Sequence, residues 1–258
     1  MVYDAKEESA FMTENFVKRL YDKKLVSNIK FIFENDNLIC WLNHSEFKVR
    51  IPLIITSEMS YLTGVIYGDG NVSIVKKKKE KLPGIRISIF NASLSYLKNI
   101  NNIVHSLFRV YGKLAKKKDK NCFVLRINSK LVCLYFLKII GVKNGKKDNL
   151  KIPSMLINKR LFKFFLAGLF DTDGYFTETF GMMMSGNNFE FLKEVTELSK
   201  KYYNLGFRKL YLGTVIINNV LRTRSQIQLS RNSIEKFISL VPLKHEKYNI
   251  ATGLLSSG

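Results

Sequence analysis

Two ten-residue stretches of the chain share one pattern of apolar and small residues. YLTGVIYGDG fills residues 61–70 and FLAGLFDTDG fills residues 165–174, so the copies align without gaps at a separation of 104 residues. The patterns that follow each copy also occur in the same order, which indicates an internal duplication. Each half is predicted to form a helix, two strands, a helix, two strands and a helix.

The elements of the first half are read from their periodicity. Strands are predicted at residues 72–75 and 85–90, and a helix with a single apolar stripe is predicted over residues 93–110. A hairpin over residues 113–128 follows, and Ser129 is a candidate cap for a helix that runs to residue 140.

The second half repeats this order with different residues. Strands are predicted at residues 175–177 and 181–185, followed by a helix over residues 188–203. A hairpin over residues 209–230 comes next, and Ser233 is a candidate cap for a last helix that ends near residue 241. The chain is therefore predicted to be an α+β protein with antiparallel sheets in two similar halves.

The first fifty-odd residues lie outside the duplication. A helix is predicted around residues 8–21, and a meander of three strands is predicted at residues 30–33, 38–42 and 47–51. We therefore divide the chain into an N-terminal extension at 1–56, a first half at 57–145, a polar linker at 146–157 and a second half at 158–258. No chemistry is assigned to the extension.

Small residues recur on one face of the two predicted motif helices. Gly64 and Gly168 hold the same repeat position, and Gly68 and Thr172 hold another position four residues later, which is about one helical turn. Small side chains let two helix backbones approach closely. The motif helices are therefore predicted to pack against each other as the interface of the two halves.

Each copy of the repeat ends in an aspartate at a predicted helix C-terminus, Asp69 and Asp173. A carboxylate there opposes the helix dipole at a cost of about 0.3–1 kcal/mol, and pairing the helices adds charge repulsion. A divalent cation reverses this balance, because hard cations bind carboxylate and carbonyl oxygens. The helix-end carbonyls of Gly68 and Thr172 would contribute to such a site. The alternative is two ordinary Asp–Gly turns, which is less natural for a repeated pair.

Net charge narrows the class of partner. The chain has 42 lysines and arginines against 21 acids, a formal net charge of +21, and a pI near 9.8. Self-repulsion on this scale favours a polyanionic partner, of which nucleic acid is the usual one. A membrane is disfavoured, since the best apolar run, LVCLYFLKIIGV, is interrupted by Lys138. The N-terminal residues lack a basic leader and an apolar core, so no signal peptide is expected.

Cysteine and histidine contribute little recognisable chemistry. Cys40, Cys122 and Cys133 have no metal-ligand spacing, which is typical of small hydrophobic residues in a reducing, intracellular compartment. The three histidines are widely scattered, so a histidine-based zinc site or nuclease motif is not expected. The compartment itself, a prokaryotic cytoplasm or an organelle, stays open.

The two motifs resemble the paired signature of the LAGLIDADG homing endonucleases, in the single-chain form with two copies. LAGLFDTDG at residues 166–174 differs from the name-giving motif only at its fifth and seventh positions. LTGVIYGDG at residues 62–70 diverges more, and it has Tyr67 where the family often has an acid. The eighth motif position holds the metal-binding acid of the family and corresponds to Asp69 and Asp173. The resemblance covers residues 60–248.

This resemblance implies a monomer of two pseudo-symmetric αββαββα halves. Their antiparallel sheets would form a saddle on double-stranded DNA, with the motif helices paired at the interface. The implied reaction is phosphodiester hydrolysis with Mg²⁺ or Mn²⁺ bound between the two acids, for which Ca²⁺ would be a non-cleaving substitute. Each acid would serve one strand, which gives a double-strand break with short 3′ overhangs in a long asymmetric target.

Members of the family also place basic and polar residues around the metals. The basic candidates in this chain lie after the last predicted helix of each half, and they are Lys146, Lys147, Lys244 and Lys247. Asn91 and Ser185, at the ends of the second strands, are candidates for orienting water. The alternative for each lysine is a solvated surface position.

The last predicted strand alternates between two kinds of side chain. Its outward positions are Arg222, Arg224, Gln226 and Gln228. Arginine and glutamine suit bidentate contacts to guanine and adenine in a major groove, which admits a β-ribbon. The comparable positions of the first half are Arg86, Ser88, Arg126 and Asn128. A solvated sheet face is the alternative.

Lysine clusters fall at two predicted hairpin tips, where contacts to DNA phosphates are expected. They comprise Lys76, Lys77 and Lys78 at one tip and Lys116, Lys117 and Lys118 at the other. The N-terminal extension is expected either to pack against the halves or to contact the DNA flank.

Two other functions on the same fold stay open. One is a maturase that binds intron RNA and assists its splicing, and the other is a DNA-binding regulator that does not cleave. The intact acid pair favours cleavage but is compatible with dual use. The ends carry no recognisable splice-junction residues, so a free-standing protein is expected, while an intron or intein origin is left open.

Overall fold

The computed structural model describes residues 29–34, 36–42, 45–75, 83–118, 121–145, 149–177, 181–208, 210–217 and 220–248, with the backbone alone for 215–217 and 220–223. These residues form three antiparallel sheets and six α-helices, which confirms the α+β class. Within the same ranges, no helix has the length and apolar character needed to cross a bilayer.

A meander of three strands precedes the duplicated part of the chain, as predicted. Its strands are β1 (Ile29–Glu34), β2 (Asn37–Leu42) and β3 (Val49–Pro52). β3 buries Val49 and Ile51, and Arg50 between them donates from Nε to the carbonyl oxygen of Leu107 at 3.0 Å. The meander is thereby fixed to the first half through its last strand. The helix predicted around residues 8–21 lies outside the described residues.

The first half contains three helices and four strands. In chain order they are α1 (Ser57–Gly68), β4 (Gly70–Val75), β5 (Gly84–Asn91), α2 (Leu94–Phe108), β6 (Lys113–Lys116), β7 (Phe123–Ile127) and α3 (Lys130–Leu134), which continues as a π-helix over Tyr135–Ile140. The side-chain oxygens of Thr56, Ser93 and Ser129 cap the three α-helices by accepting from backbone N–H groups three residues later.

The second half repeats the order of elements. They are α4 (Lys159–Asp173), β8 (Gly174–Thr177), β9 (Gly181–Gly186), α5 (Phe189–Tyr203), β10 (Tyr211–Ile217), β11 (Val220–Gln228) and α6 (Arg231–Leu240), with short 3₁₀ turns at Ser154–Leu156 and Glu246–Tyr248. The cap predicted at Ser233 is wrong, because α6 begins two residues earlier, after Ser230. Ser233 lies inside the helix, where its Oγ accepts a hydrogen bond from the backbone N–H of Gly206 at 2.8 Å.

The two four-stranded sheets have the same strand order and the same register. That order is β4-β5-β7-β6 in the first half and β8-β9-β11-β10 in the second. In each sheet the first strand leaves the motif helix directly, and Gly70 pairs with Ile89 as Gly174 pairs with Met184. The predicted pseudo-symmetric αββαββα halves are therefore confirmed.

Helices α1 and α4 pack more closely than ordinary side chains would permit. A Cβ atom added to Gly64 would lie 2.2 Å from the carbonyl oxygen of Phe165, and one added to Gly168 would lie 2.2 Å from that of Tyr61. Only a hydrogen atom fits at these crossing points, which is why both positions are glycine. The predicted pairing of the motif helices at the interface is confirmed.

Alanine at Gly168 should lower the free energy of unfolding by about 1–3 kcal/mol, because its methyl group forces the two backbones apart. Helix propensity alone predicts the opposite, since alanine is favoured over glycine in a helix interior by about 1 kcal/mol. Urea unfolding followed by circular dichroism measures the change.

The control for this experiment is Gly186→Ala, whose new methyl group would lie 3.9 Å from the nearest atoms, those of Leu192. Its stability should change by less than about 0.5 kcal/mol. Wild-type stability in the Gly168→Ala protein would show that the helices do not depend on this contact.

Candidate functional site

The two motif aspartates meet at one end of the paired helices. Asp69 is the C-cap residue of α1, and Asp173 is the last residue of α4. A Cβ atom added to Gly68 would lie 1.8 Å from Oγ1 of Thr172 and 3.4 Å from Oδ2 of Asp173. The carboxylate of Asp173 therefore reaches the backbone of α1 at Gly68, the residue directly before Asp69.

A hydrogen-bonded chain orients the carboxylate of Asp69. Asn91, the last residue of β5, donates from Nδ2 to Oδ2 of Asp69 at 3.1 Å. Its Oδ1 lies 3.3 Å from Nε2 of His245, and Nδ1 of His245 accepts from the backbone N–H of Lys247 at 3.1 Å. The proton of a neutral imidazole must then lie on Nε2, which donates to Asn91 and leaves the amide nitrogen of Asn91 for Asp69.

The neutral form of His245 is favoured by its surroundings. Burial lowers the pKa of His245 to about 4, and the ammonium group of Lys247 acts in the same direction. The ring also packs against that of Tyr96 with a centroid distance of 4.4 Å. Above about pH 5 the imidazole therefore keeps one donor and one acceptor nitrogen, as the chain of hydrogen bonds requires.

The second half differs from the first at the position of Asn91. The shared register places Gly186 at the corresponding position of β9, and Gly186 has no side chain. Ser185, one residue earlier, accepts a hydrogen bond from Nη2 of Arg224 at 2.8 Å. The two polar residues predicted to orient water thus occupy different positions in the two halves.

Lys247 reaches the ends of the motif helices. Its Nζ donates to the carbonyl oxygen of Gly174 at 2.6 Å and to that of Thr172 at 3.4 Å. Burial lowers the pKa of Lys247, whereas the carboxylates of Asp171, Asp69 and Asp173 oppose this shift. The structure therefore brings one cation to both motif acids.

Lys244 has a different environment from Lys247. Nζ of Lys244 lies 4.8 Å from the ring centre of Tyr61, a residue about two helical turns before Asp69 in α1. It acts electrostatically on Glu58 in the first turn of that helix. The prediction of Lys244 as a residue beside the acids is wrong, because its side chain follows α1 toward the opposite end. Lys146 and Lys147 lie outside the described residues.

Asp171 is a buried acid next to the site that the sequence analysis missed. It is fully buried, and its Oδ2 accepts hydrogen bonds from the hydroxyl of Tyr61 at 2.6 Å and from the backbone N–H of Lys244 at 2.8 Å. Burial raises the pKa of Asp171 to about 6, against the effect of these hydrogen bonds. The carboxylate therefore holds residues 241–248 in place, and this segment contains His245 and Lys247. The signal that could have identified Asp171 in the sequence is an acidic residue within a helix that is otherwise apolar.

Tyr67 performs the corresponding task in the first half, at the same motif position as Asp171. Its hydroxyl donates to the carbonyl oxygen of Lys151 at 3.1 Å, and its ring packs against Phe165 and Phe191. The tyrosine therefore fastens the segment that follows the first half. This explains how the first motif can differ from the second at that position without loss of structure.

The outward face of the first sheet carries a polar row across all four strands. Asn71, Ser88, Arg126 and Lys113 are cross-strand neighbours, and Arg86 lies one row further out. Both arginines are half-buried, and Lys113 is exposed. Ser88 is only 7% exposed, so the prediction that it contacts DNA is wrong: its short side chain lies between longer neighbours on the central strands.

The second sheet presents a similar face. Arg224 is exposed, and Gln226 is half-buried with Nε2 donating to the hydroxyl of Tyr175 at 2.5 Å. Gln228 is only 5% exposed, because it pairs with Met183 at the covered end of β11, and its predicted base contact is therefore also wrong. Arg222 occupies the predicted strand position, and the structure describes its backbone alone.

Lysines and an asparagine extend the polar face of the first half. Lys116, Lys117 and Lys118 are exposed where β6 turns toward β7, and Nζ of Lys117 lies 5.0 Å from the ring centre of Phe90. Asn128 is exposed directly after β7. The predicted tip lysines Lys76, Lys77 and Lys78 lie outside the described residues.

The oxygen atoms at the helix ends fit a hard divalent cation. Asp69 and Asp173 offer carboxylates, and the carbonyls of Gly68 and Thr172 belong to the last turns of the same helices. Among the residues that the structure describes, no group of three histidine, cysteine or acidic side chains could hold a metal ion. A metal here would therefore take its remaining oxygen ligands from water and substrate.

This architecture is the fold of the LAGLIDADG homing endonucleases, the family that the two motifs resemble. Mesophilic variants of the homing endonuclease I-DmoI match with a TM-score of 0.54 at 18% identity, over 74% of this chain and 96% of theirs. I-DmoI in complex with DNA and Mn matches with a TM-score of 0.50 at 20% identity, over 73% of this chain and 98% of that chain. At these identities the likeness establishes the fold.

The comparisons of sequence are less direct. No protein-family model matches the chain. Among curated proteins, glutamine–fructose-6-phosphate aminotransferase (isomerizing) of Methanocaldococcus jannaschii is 28% identical over 180 residues. The match covers 67% of this chain and 15% of that protein, so the chain spans a small part of its length and no aminotransferase activity is inferred.

Ionisation of Asp171 should destabilise the fold. Its pKa is about 6 in the folded chain, against about 3.9 for an unfolded aspartate, so the native state binds the extra proton between these values. The stabilisation that this proton provides is complete below about pH 4 and is lost as pH rises through about 6. The free energy of unfolding changes by up to about 3 kcal/mol over this range.

The variant Asp171→Asn removes this dependence and retains an oxygen acceptor for Tyr61 and Lys244. Relative to the wild type, its free energy of unfolding in urea should increase steadily from pH 4 to pH 7. The same substitution at the exposed turn residue Asp36 is the control. Parallel stability curves for wild type and Asp171→Asn would contradict the raised pKa.

Proposed function

We propose that the chain is a site-specific DNA endonuclease that hydrolyses both strands of a long asymmetric duplex. The observation that carries the proposal is the meeting of Asp69 and Asp173 at adjacent helix ends, with Lys247 beside both. Two carboxylates at paired helix C-termini oppose both dipoles and each other. A bound cation and a phosphodiester substrate would account for this electrostatically unfavourable arrangement.

Asp69 and Asp173, with the carbonyls of Gly68 and Thr172, would hold Mg²⁺ or Mn²⁺. When bound there, such an ion activates water and neutralises charge on the leaving oxygen. Ca²⁺ prefers the same oxygen ligands, so we propose it as a substitute that supports DNA binding without cleavage. Both acids come from one chain, and the proposal therefore needs only a monomer, in an intracellular reducing compartment.

The surrounding residues prepare the site for a phosphate group. Asn91 holds the carboxylate of Asp69 through the hydrogen bond from Nδ2, and His245 fixes which way that amide faces. Lys247 places a half-buried ammonium group where negative charge would develop on the scissile phosphate. Since each acid would serve one strand, cleavage on either side of the minor groove would leave short 3′ overhangs.

Sequence would be read by the outward faces of the two sheets. Arg224 and Gln226 in the second half, and Arg86 and Arg126 in the first, offer side chains suited to guanine and adenine edges. Arg222 belongs to the same set by its strand position. The exposed lysines at the end of β6 would add contacts to phosphates that carry no sequence information.

Asparagine at Asp69 or Asp173 should reduce double-strand cleavage by roughly 100-fold or more, because one metal ligand set loses its charge. The assay exposes a library of plasmids to the protein and Mg²⁺, sequences the cleaved ends, and repeats the reaction on the selected target. Affinity for that target in Ca²⁺ should stay within about threefold of wild type, since the reading surfaces are untouched.

Glu58→Gln is the matched control, since Glu58 lies in the first turn of α1 and loses the same charge. It should cleave at the wild-type rate. Undiminished cleavage by Asp173→Asn would contradict the endonuclease proposal. Tight DNA binding without any cleavage by the wild type would instead support a regulator, and splicing of an intron RNA would support a maturase.

Lys247→Gln should slow cleavage by roughly 100-fold in single-turnover reactions, because a preorganised cation is lost from the charged centre. Lys244→Gln removes an equal charge three residues away, yet its side chain follows Tyr61 away from the acids, so the rate should stay near wild type. Equal effects of the two substitutions would mean that general electrostatic attraction of DNA, rather than position, accounts for Lys247.

A further inference from the structure

A basic groove lies between the N-terminal meander and the first half. It has a volume of about 640 Å³ and runs between Leu42, Ser45 and residues 47–49 on one side and residues 109–111 and 128–131 on the other. Its lining includes three cationic side chains, Lys48, Arg109 and Lys130, and no carboxylate. Among described residues this charge balance favours a polyanion as the occupant.

Two exposed aromatic rings border the same groove. Phe47 is 85% exposed and Tyr111 is 61% exposed. The ring of Tyr111 is held by stacking on His105, with a centroid distance of 4.0 Å and an interplanar angle of 7°. Aromatic faces beside cations offer stacking and apolar contacts to sugars and bases in addition to charge neutralisation.

The groove adjoins the strand end that follows the proposed DNA-reading residue Arg126. Asn128 lines it and follows β7 directly, two residues after Arg126 on that outward face. Lys113, which pairs with Arg126, is separated from Tyr111 by one residue. A polyanion lying along the outward face of the first sheet can therefore continue into the groove without a break.

The meander holds its side of the groove in place. Val49 and Ile51 are buried, and Arg50 bonds to the end of α2 through the carbonyl of Leu107. Arg109 on the other side is the C-cap of α2, with a left-handed backbone at φ 56° and its N–H donating to the carbonyl of His105 at 2.8 Å. Hydrogen bonds to the backbone of α2 hold both walls, so the groove is formed before anything binds.

We propose that this groove binds the phosphate backbone of the duplex that flanks the cleavage site, so that the N-terminal meander lengthens the DNA-binding surface. The proposal rests on the proposed function, because it assigns the occupant from continuity with the DNA-reading face. Duplex DNA is preferred over a single strand or RNA for that reason. The three cations would neutralise phosphates, and Phe47 and Tyr111 would contact the sugar edge.

The test compares the full chain with the variant Lys48→Gln/Arg109→Gln/Lys130→Gln in Ca²⁺. Fluorescence anisotropy measures affinity for random-sequence duplexes of about 15 and about 40 base pairs at several salt concentrations. Glutamine keeps side-chain length, and at position 109 it places no new demand on the left-handed backbone. Unchanged urea midpoints establish that the variant is folded.

The matched control is Lys193→Gln/Lys200→Gln/Lys201→Gln, which removes three exposed charges from α5, on the side of the second sheet away from its outward face. For the longer duplex, the groove variant should lower the salt slope by about 2–3, since each lost phosphate contact accounts for about 0.9. The shorter duplex should show a smaller loss, and the control should behave as wild type with both.

Equal losses in the groove variant and the control would overturn the groove proposal, because bulk charge would then account for binding. A loss that is independent of duplex length, or one that appears only with single-stranded DNA or RNA, would also overturn it. Failure of the wild type to bind any duplex would instead reject the proposed endonuclease. The two failures are therefore distinguishable.

Discussion

The close contact of α1 with α4 is the constraint on which the rest of the molecule depends. Because Gly64 and Gly168 each face a carbonyl oxygen of the opposite helix, the backbones cross without side chains between them. That crossing fixes the distance between the two helix ends, and thereby the distance between Asp69 and Asp173. It also sets the two sheets on either side of one axis, since β4 and β8 leave their helices directly.

A second level of organisation keeps the segments after each half in place. The sixth position of each motif points to such a segment, and the residue there matches what the segment offers: Asp171 accepts from the N–H of Lys244, whereas Tyr67 donates to the carbonyl of Lys151. The first motif therefore differs from the second in that its sixth residue donates a hydrogen bond to the segment instead of accepting one. This difference leaves the architecture intact because each residue forms a hydrogen bond that holds the segment after its half.

Periodicity and the duplication were enough to predict the strands, the helices, their order and the pairing of α1 with α4. They also single out Asp69 and Asp173 as candidates, because a repeated placement against the helix dipole is visible in the sequence. They could not locate the side chains of residues 241–248, since Lys244 and Lys247 look alike until the chain path is known. Alternation also failed at Ser88 and Gln228, where neighbours across the strands cover outward-facing side chains.

Asn91 has a consequence for the order of events in the proposed reaction. In the first half a side-chain amide holds the acid, whereas the corresponding position of the second half is Gly186, which has no side chain. The cleft therefore contains two chemically unequal half-sites, and two strands exposed to them need not be hydrolysed at one rate. In the proposed reaction this difference between the halves would set a preferred first nick that depends on the protein rather than on its target.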